Sequence, residues 1–150
     1  MAPRARVLSF GSAAAAVVAG LLVRYVGGPE AHAVVASAGK MLIAEFIFTF
    51  ALVWVVLNVA TARGTDGNSF YGLAIGFTVV VGAFAVGGIS GGAFNPAIAF
   101  GAMVTGLFEW SNIWIYLLAE FLGGAAAAYT FLYVLPAEKS TGDVEAAASQ

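Results

Sequence analysis

Four stretches of this chain run for roughly 20 residues each with almost no charge, the length of helix that crosses a hydrocarbon core about 30 Å thick. They lie near Val7–Val26, Met41–Thr61, Phe70–Val86 and Ile113–Leu135. Only Arg24 interrupts the first, close enough to its end to snorkel. In lipid every backbone polar group must find a partner within the protein, and an isolated apolar run of this length can do so only as a helix. Composition agrees: 61% of the 150 residues are hydrophobic and 9% are charged, too little charge to cover a soluble domain. The sequence therefore predicts an all-α membrane protein with four transmembrane helices, whose first surroundings are a lipid bilayer. Met1–Arg6 followed by an Ala-rich run also has the form of a secretory leader, but the length of the run and the three spans after it favour a retained helix.

Charge placement suggests an orientation. Arg4, Arg6, Arg63 and Lys139 fall on one side of the four spans, and Arg24 and Lys40 on the other. An even number of spans leaves both termini on one side, and the positive-inside bias makes that side cytoplasmic. The expected location is the plasma membrane, multi-pass, with residues 1–137 forming the membrane domain and 138–150 a small, acidic, disordered cytoplasmic tail.

Several function classes are excluded early. A net charge of −2 without a basic cluster argues against nucleic acid. The absence of cysteine removes disulfides, thiolate metal sites and cysteine nucleophiles. His32 stands alone in a polar stretch, with no second ligand at metal spacing. No nucleophile–base pair is evident, Ser90 included, so neither catalysis nor a cofactor is expected.

The informative segment is Gly87-Gly88-Ile89-Ser90-Gly91-Gly92-Ala93-Phe94-Asn95-Pro96-Ala97. Its four glycines, Gly87, Gly88, Gly91 and Gly92, are expected to break the third span where it should leave the membrane. Asn95 followed by Pro96 is then a helix-start signal, because Asn is a favoured N-cap and Pro at the first helical position loses no hydrogen bond. The apolar run Pro96–Leu107 is too short to cross and suits a re-entrant half-helix. Such a stub points about half a positive charge into the protein. The Asn95 carbonyl oxygen would cap the helix while its NH₂ donates outward. A water or hydroxyl oxygen is welcome there and a cation meets the wrong field.

At this point the residues resemble a known family. Asn95-Pro96-Ala97 looks like the NPA signature of the aquaporin (major intrinsic protein) family, preceded by its Ser-Gly-rich approach in Ile89–Gly92. The likeness extends to Ala44-Glu45-Phe46, Leu73–Phe77, Trp114-Ile115-Tyr116 and Gly123-Gly124. From about Ser9 to Val134 the chain is similar to the second half of such a channel, a partial aquaporin-like bundle. The resemblance implies that Asn95, Pro96 and Ala97 line the pore. It also implies that Glu45, with Ser90 and Gly91, supports the loop, Glu45 by accepting its backbone hydrogen bonds. Glu120 has no family counterpart; a helix neighbour, a subunit interface and the interior are all open to it.

Two departures stand out. The family has six spans and two half-helices, whereas four spans and one are legible here. The family's filter positions are Ala83, Gly92 and Ile98, where water-selective members carry a histidine at the first and an arginine at the third. A constriction built from these residues would be wider and less polar. The expected function is a passive channel, or part of one, for water or small neutral solutes such as polyols, with a homo-tetramer or a complementing half-channel as partner. The alternatives are a truncated non-conducting fragment serving in assembly, and part of a secondary transporter, since broken helices also form transporter sites. Small residues at packing intervals (Gly72 with Gly76, Gly123 and Gly124 with Ala127 and Ala128) support helix association.

Overall fold

The computed structural model describes residues 36–139 together with Val17, Val18, Leu21, Leu22 and Tyr25, which are helical. Most of the first expected span, with Arg4, Arg6, Arg24, His32 and residues 140–150, lies outside the described residues. Four α-helices follow: α1 (Ala38–Val56), α2 (Tyr71–Ser90), α3 (Pro96–Thr105) and α4 (Ile113–Val134). Helix α1 runs on through a π-helical turn, Leu57–Thr61, which gives 24 continuous helical residues, about 36 Å at the α-helical rise. With α2 and the segment Trp110–Val134, three helices among the described residues are long and apolar enough to cross a membrane. The chain is an all-α, multi-pass membrane protein.

The end of α1 leaves carbonyls without intrahelical donors, and side chains of the following connection supply them. Thr65 Oγ1 donates to the Asn58 carbonyl at 2.6 Å and Asn68 Nδ2 to that of Val59 at 2.6 Å; within the π-helical turn, Asn58 Nδ2 adds a second donor to the Trp54 carbonyl at 2.8 Å. At the same end of the bundle the Arg63 backbone N–H donates to Glu138 Oε1 at 3.0 Å. Glu138 and Lys139, assigned above to the tail, form a 3₁₀ turn with Pro136 and Ala137.

Helix α1 packs mainly on α4 and less extensively on α2, while α3 rests on α4. The α1–α4 contact is close because α4 presents Ala119, Gly123 and Ala127, all buried, at every fourth position. A Cβ on Gly123 would stand 2.6 Å from the Phe46 carbonyl oxygen. Backbones that approach this closely need small residues, the means by which helices associate in lipid. Gly72 and Gly76, expected to do the same, meet no neighbour within 4 Å among the described residues. Helix α2 is largely bare: only Gly82 and Ser90 on it are buried.

The third span departs from expectation at its end. It runs past the expected end near Val86 as helix to Ser90, and of the four glycines it is the second pair, Gly91 and Gly92, that breaks it. A helical glycine costs about 1 kcal/mol, less than a backbone group left without a partner in lipid. What stops the helix is Gly91, whose φ of 88° is left-handed. Helix α3 likewise ends at Thr105, before the expected Leu107, on a left-handed Gly106 (φ 81°).

Candidate functional site

Gly91 and Gly92 both have positive φ, 88° and 71°, the conformation that glycine adopts without steric cost. Space makes the same demand at Gly91, where a Cβ would lie 2.2 Å from the Phe108 ring. The chain thereby reverses and returns along α2. A Cβ on Gly92 would stand 3.5 Å from the Ala83 Cα, and one on Gly82 would stand 2.5 Å from Phe94 Cε2. Since Gly82 precedes Ser90 by eight residues, the Phe94 ring reaches back along about 12 Å of helix.

Residues 90–94 are held by buried groups from two other helices and by the Ser90 side chain. The carboxylate of Glu45 on α1, 0% exposed, accepts the Ala93 N–H at Oε1 (3.1 Å) and the Phe94 N–H at Oε2 (2.7 Å). Phe94 is the one non-glycine with positive φ (53°) among the described residues. Such a conformation costs a bulky residue about 1–3 kcal/mol. Two charge-assisted hydrogen bonds to Glu45 offset that, as does burial of the ring, whose centroid is 5.4 Å from that of Phe48. Ser90 Oγ accepts the Gly92 N–H at 3.3 Å. Tyr116 on α4 donates its hydroxyl to the Ser90 carbonyl at 2.5 Å, and its ring stacks on Phe108 at 4.8 Å.

Asn95 then starts α3. Its backbone is extended, and its Oδ1 accepts the Ala97 N–H at 2.9 Å. Its carbonyl takes the N–H groups of Ile98 and Ala99, each at 3.0 Å. Pro96 at the first helical position has no N–H to satisfy. With Oδ1 engaged as the cap, the amide NH₂ is the group left to donate on the exposed side of Asn95. Helix α3 has ten residues, about 15 Å in length.

Two helices measure how deep this point lies. Tyr116, three residues beyond the start of α4, holds the Ser90 carbonyl, and Glu45, seven beyond the start of α1, holds residues 93 and 94. Seven residues of helix are about 10 Å. Both helices begin at the end of the bundle opposite the Arg63–Glu138 contact. The reversal thus carries Asn95 inward from that end.

Of the remaining expected residues, Ala83 and Gly92 are brought against one another, and Ile98 stands on α3 half exposed (50%). Glu120 is buried, and neither carboxylate oxygen makes a hydrogen bond of standard geometry among the described residues. Gly82, Phe94 and Phe108 shape the loop without having been picked out from the sequence. Gly82 was one glycine among 19, and nothing local distinguishes the two phenylalanines from other apolar residues.

Residues 8–131 match the family model for the major intrinsic protein. Among curated proteins, the chain is similar to the aquaporin NIP1-3 of Oryza sativa subsp. japonica, 36% identical over 142 residues that cover 93% of this chain and 48% of the relative. It is 33% identical over 114 residues to the probable aquaporin NIP4-2 of Arabidopsis thaliana, covering 75% of this chain and 39% of the relative. With nodulin-26 of Glycine max it shares 39% identity over 106 residues, 70% of this chain and 38% of the relative. The chain spans about half the length, or less, of these relatives.

Proposed function

Because the chain belongs to the major intrinsic protein family, we propose that it forms one wall of a passive transmembrane path for water or small neutral solutes, with Asn95 as the hydrogen-bonding point along it. The reading rests on one observation above all: a fold-back that brings the exposed Asn95, capping a ten-residue helix, inward beside Glu45. The N-terminal end of α3 carries about half a positive charge. An oxygen lone pair entering there meets the Asn95 NH₂ and a favourable potential, while a cation meets repulsion. Neither effect needs a titratable group on the solute, which suits uncharged cargo.

Ala83, Gly92 and Ile98 then form the neighbouring lining. None carries charge or a side-chain hydrogen-bond donor, so this stretch discriminates by width more than by polarity. Polyols fit such a lining as well as water does. Asn95, Ile98 and Ala83 are exposed on the described helices, and a closed path needs a further wall beyond them. On this reading the protein resides in the plasma membrane with the Arg63–Glu138 end cytoplasmic.

Stopped-flow shrinkage of liposomes containing the folded full chain tests the proposal. Water or glycerol equilibration faster than in empty liposomes is the expected result. Rates equal to those of empty liposomes, with the helical circular dichroism intact, would overturn it.

A further inference from the structure

The chain leaves α2 at Gly91, passes through α3, and then comes back to the residue it left. Two residues past Gly106, which ends α3, the Phe108 ring lies against Gly91: its Cε1, Cζ and Cδ1 atoms crowd the place a Gly91 Cβ would take. The same ring stacks on Tyr116 of α4, nearly parallel at 8° with centroids 4.8 Å apart. Its backbone is tied to α3, since the N–H groups of Leu107 and Phe108 both donate to the Ala102 carbonyl, at 2.9 and 3.2 Å. Residues 91–108 thus close on themselves, with the ring as the fastening between the first residue and the last.

This unit rests on a buried apolar core of Ala93 from the turn, Ala99 and Met103 from α3, Met41 from α1, and Ile115 and Tyr116 from α4, and Phe108 packs against that core. Tyr116 serves the turn twice, through the ring that carries Phe108 and through the hydroxyl given to the Ser90 carbonyl. A close-packed interior passes a displacement on to its neighbours, so the thickness of the Phe108 ring fixes how far Gly91 stands from Tyr116. The next residue, Gly92, meets α2, where its Cβ would stand 3.5 Å from the Ala83 Cα. Filling the α4 side of the turn therefore holds its other side against Ala83.

We propose that Phe108 is a positioning residue for the turn: a wedge between Tyr116 and Gly91 that sets the spacing of Gly92 from Ala83 and, through it, the width open to a solute. It acts through Gly91 and needs no contact with the solute. The effect on solutes rests on the path proposed above; the wedge itself rests only on the packing.

Two measurements on the folded full chain test it. In Phe108→Ala the turn relaxes toward the space the ring has left, so in liposomes the ratio of glycerol to water permeability should rise severalfold over native. A loss of stability alone would lower both permeabilities by one factor and leave the ratio where it was. In hydrogen exchange, the amides of residues 91–94 should exchange severalfold faster in Phe108→Ala, while those in the middle of α1 keep their native rates. Met103→Ala empties part of the same core from α3 and should leave both the ratio and this contrast unchanged. An unchanged ratio in a conducting protein, unchanged exchange at 91–94, or an equal response to Met103→Ala each overturns the proposal. If the native chain conducts nothing, the path proposed above fails and the exchange comparison alone decides for Phe108. Should Phe108→Ala fail to fold, Phe108→Leu, which keeps apolar bulk without a ring to stack, decides by the same criteria.

Discussion

The Glu45 carboxylate meets the backbone N–H of Phe94 at 2.7 Å although 49 residues separate them in the chain. The bond ties a left-handed phenylalanine to a long apolar helix, one residue before the cap of α3. A charge buried in this way is worth keeping only if its donors are in place. Glu45→Gln turns one acceptor oxygen into an NH₂ that confronts an N–H. The variant is expected to lose about 1.5–3 kcal/mol, read as a lower midpoint of thermal unfolding in detergent, with solute flux falling alongside.

Glycines in this chain are not equivalent, and substitution should separate them. Gly82→Ala would set a Cβ 2.5 Å from Phe94 and 2.9 Å from Phe48, and overpacking of this kind costs about 1–3 kcal/mol. Gly76→Ala meets nothing within 4 Å in a helix interior and should be neutral or stabilising by up to about 1 kcal/mol. Unfolding midpoints of the two variants side by side check the contrast.

Tyr116→Phe keeps the stack on Phe108 but removes the hydroxyl that serves the Ser90 carbonyl. Leaving a buried acceptor without its partner costs about 1–3 kcal/mol. Hydrogen exchange should rise at the amides of residues 91–94, with little change in the middle of α1. Uniform exchange across both regions would show that the hydroxyl has no special hold on the turn.

Asn95→Asp preserves an oxygen that can cap Ala97 but exchanges the outward amide for negative charge. The fold should persist, and on the proposed function liposomes carrying the variant should admit small cations that liposomes carrying the native chain exclude. Asn95→Ala removes cap and donor together, with an expected loss of about 0.5–2 kcal/mol in stability and a drop in flux.

Ile98→Arg places a fixed cation one turn into α3, on a half-exposed position. On the proposed function, a charged, hydrogen-bonding lining would narrow the path and favour the smaller solute. The ratio of glycerol to water permeability in swelling assays should fall by severalfold, while unfolding is little changed.

Part of this organisation was legible in the residues alone. Spans Met41–Thr61 and Ile113–Leu135 agree within a few residues with the helical segments Ala38–Thr61 and Ile113–Val134, because unbroken apolar runs in lipid have no alternative to helix. Asn95-Pro96 announced its own helix start through a cap and a missing N–H, both local effects. The four-glycine segment marked the break of the third span, but which glycine ends the helix was not legible, because termination depends on which one turns left-handed, and that is Gly91.

What the sequence by itself determined is whatever spans a few neighbouring residues: helix length, helix start, the abundance of small side chains, the scarcity of charge. Only the tertiary structure decided that Glu45 grips residues 93 and 94, that Phe94 settles over Gly82, and that Tyr116 reaches the Ser90 carbonyl. Those relations join residues on different helices. They depend on how closely Gly123 lets α4 approach α1 and on the turn at Gly91, and contact between distant segments has no local pattern from which to read it.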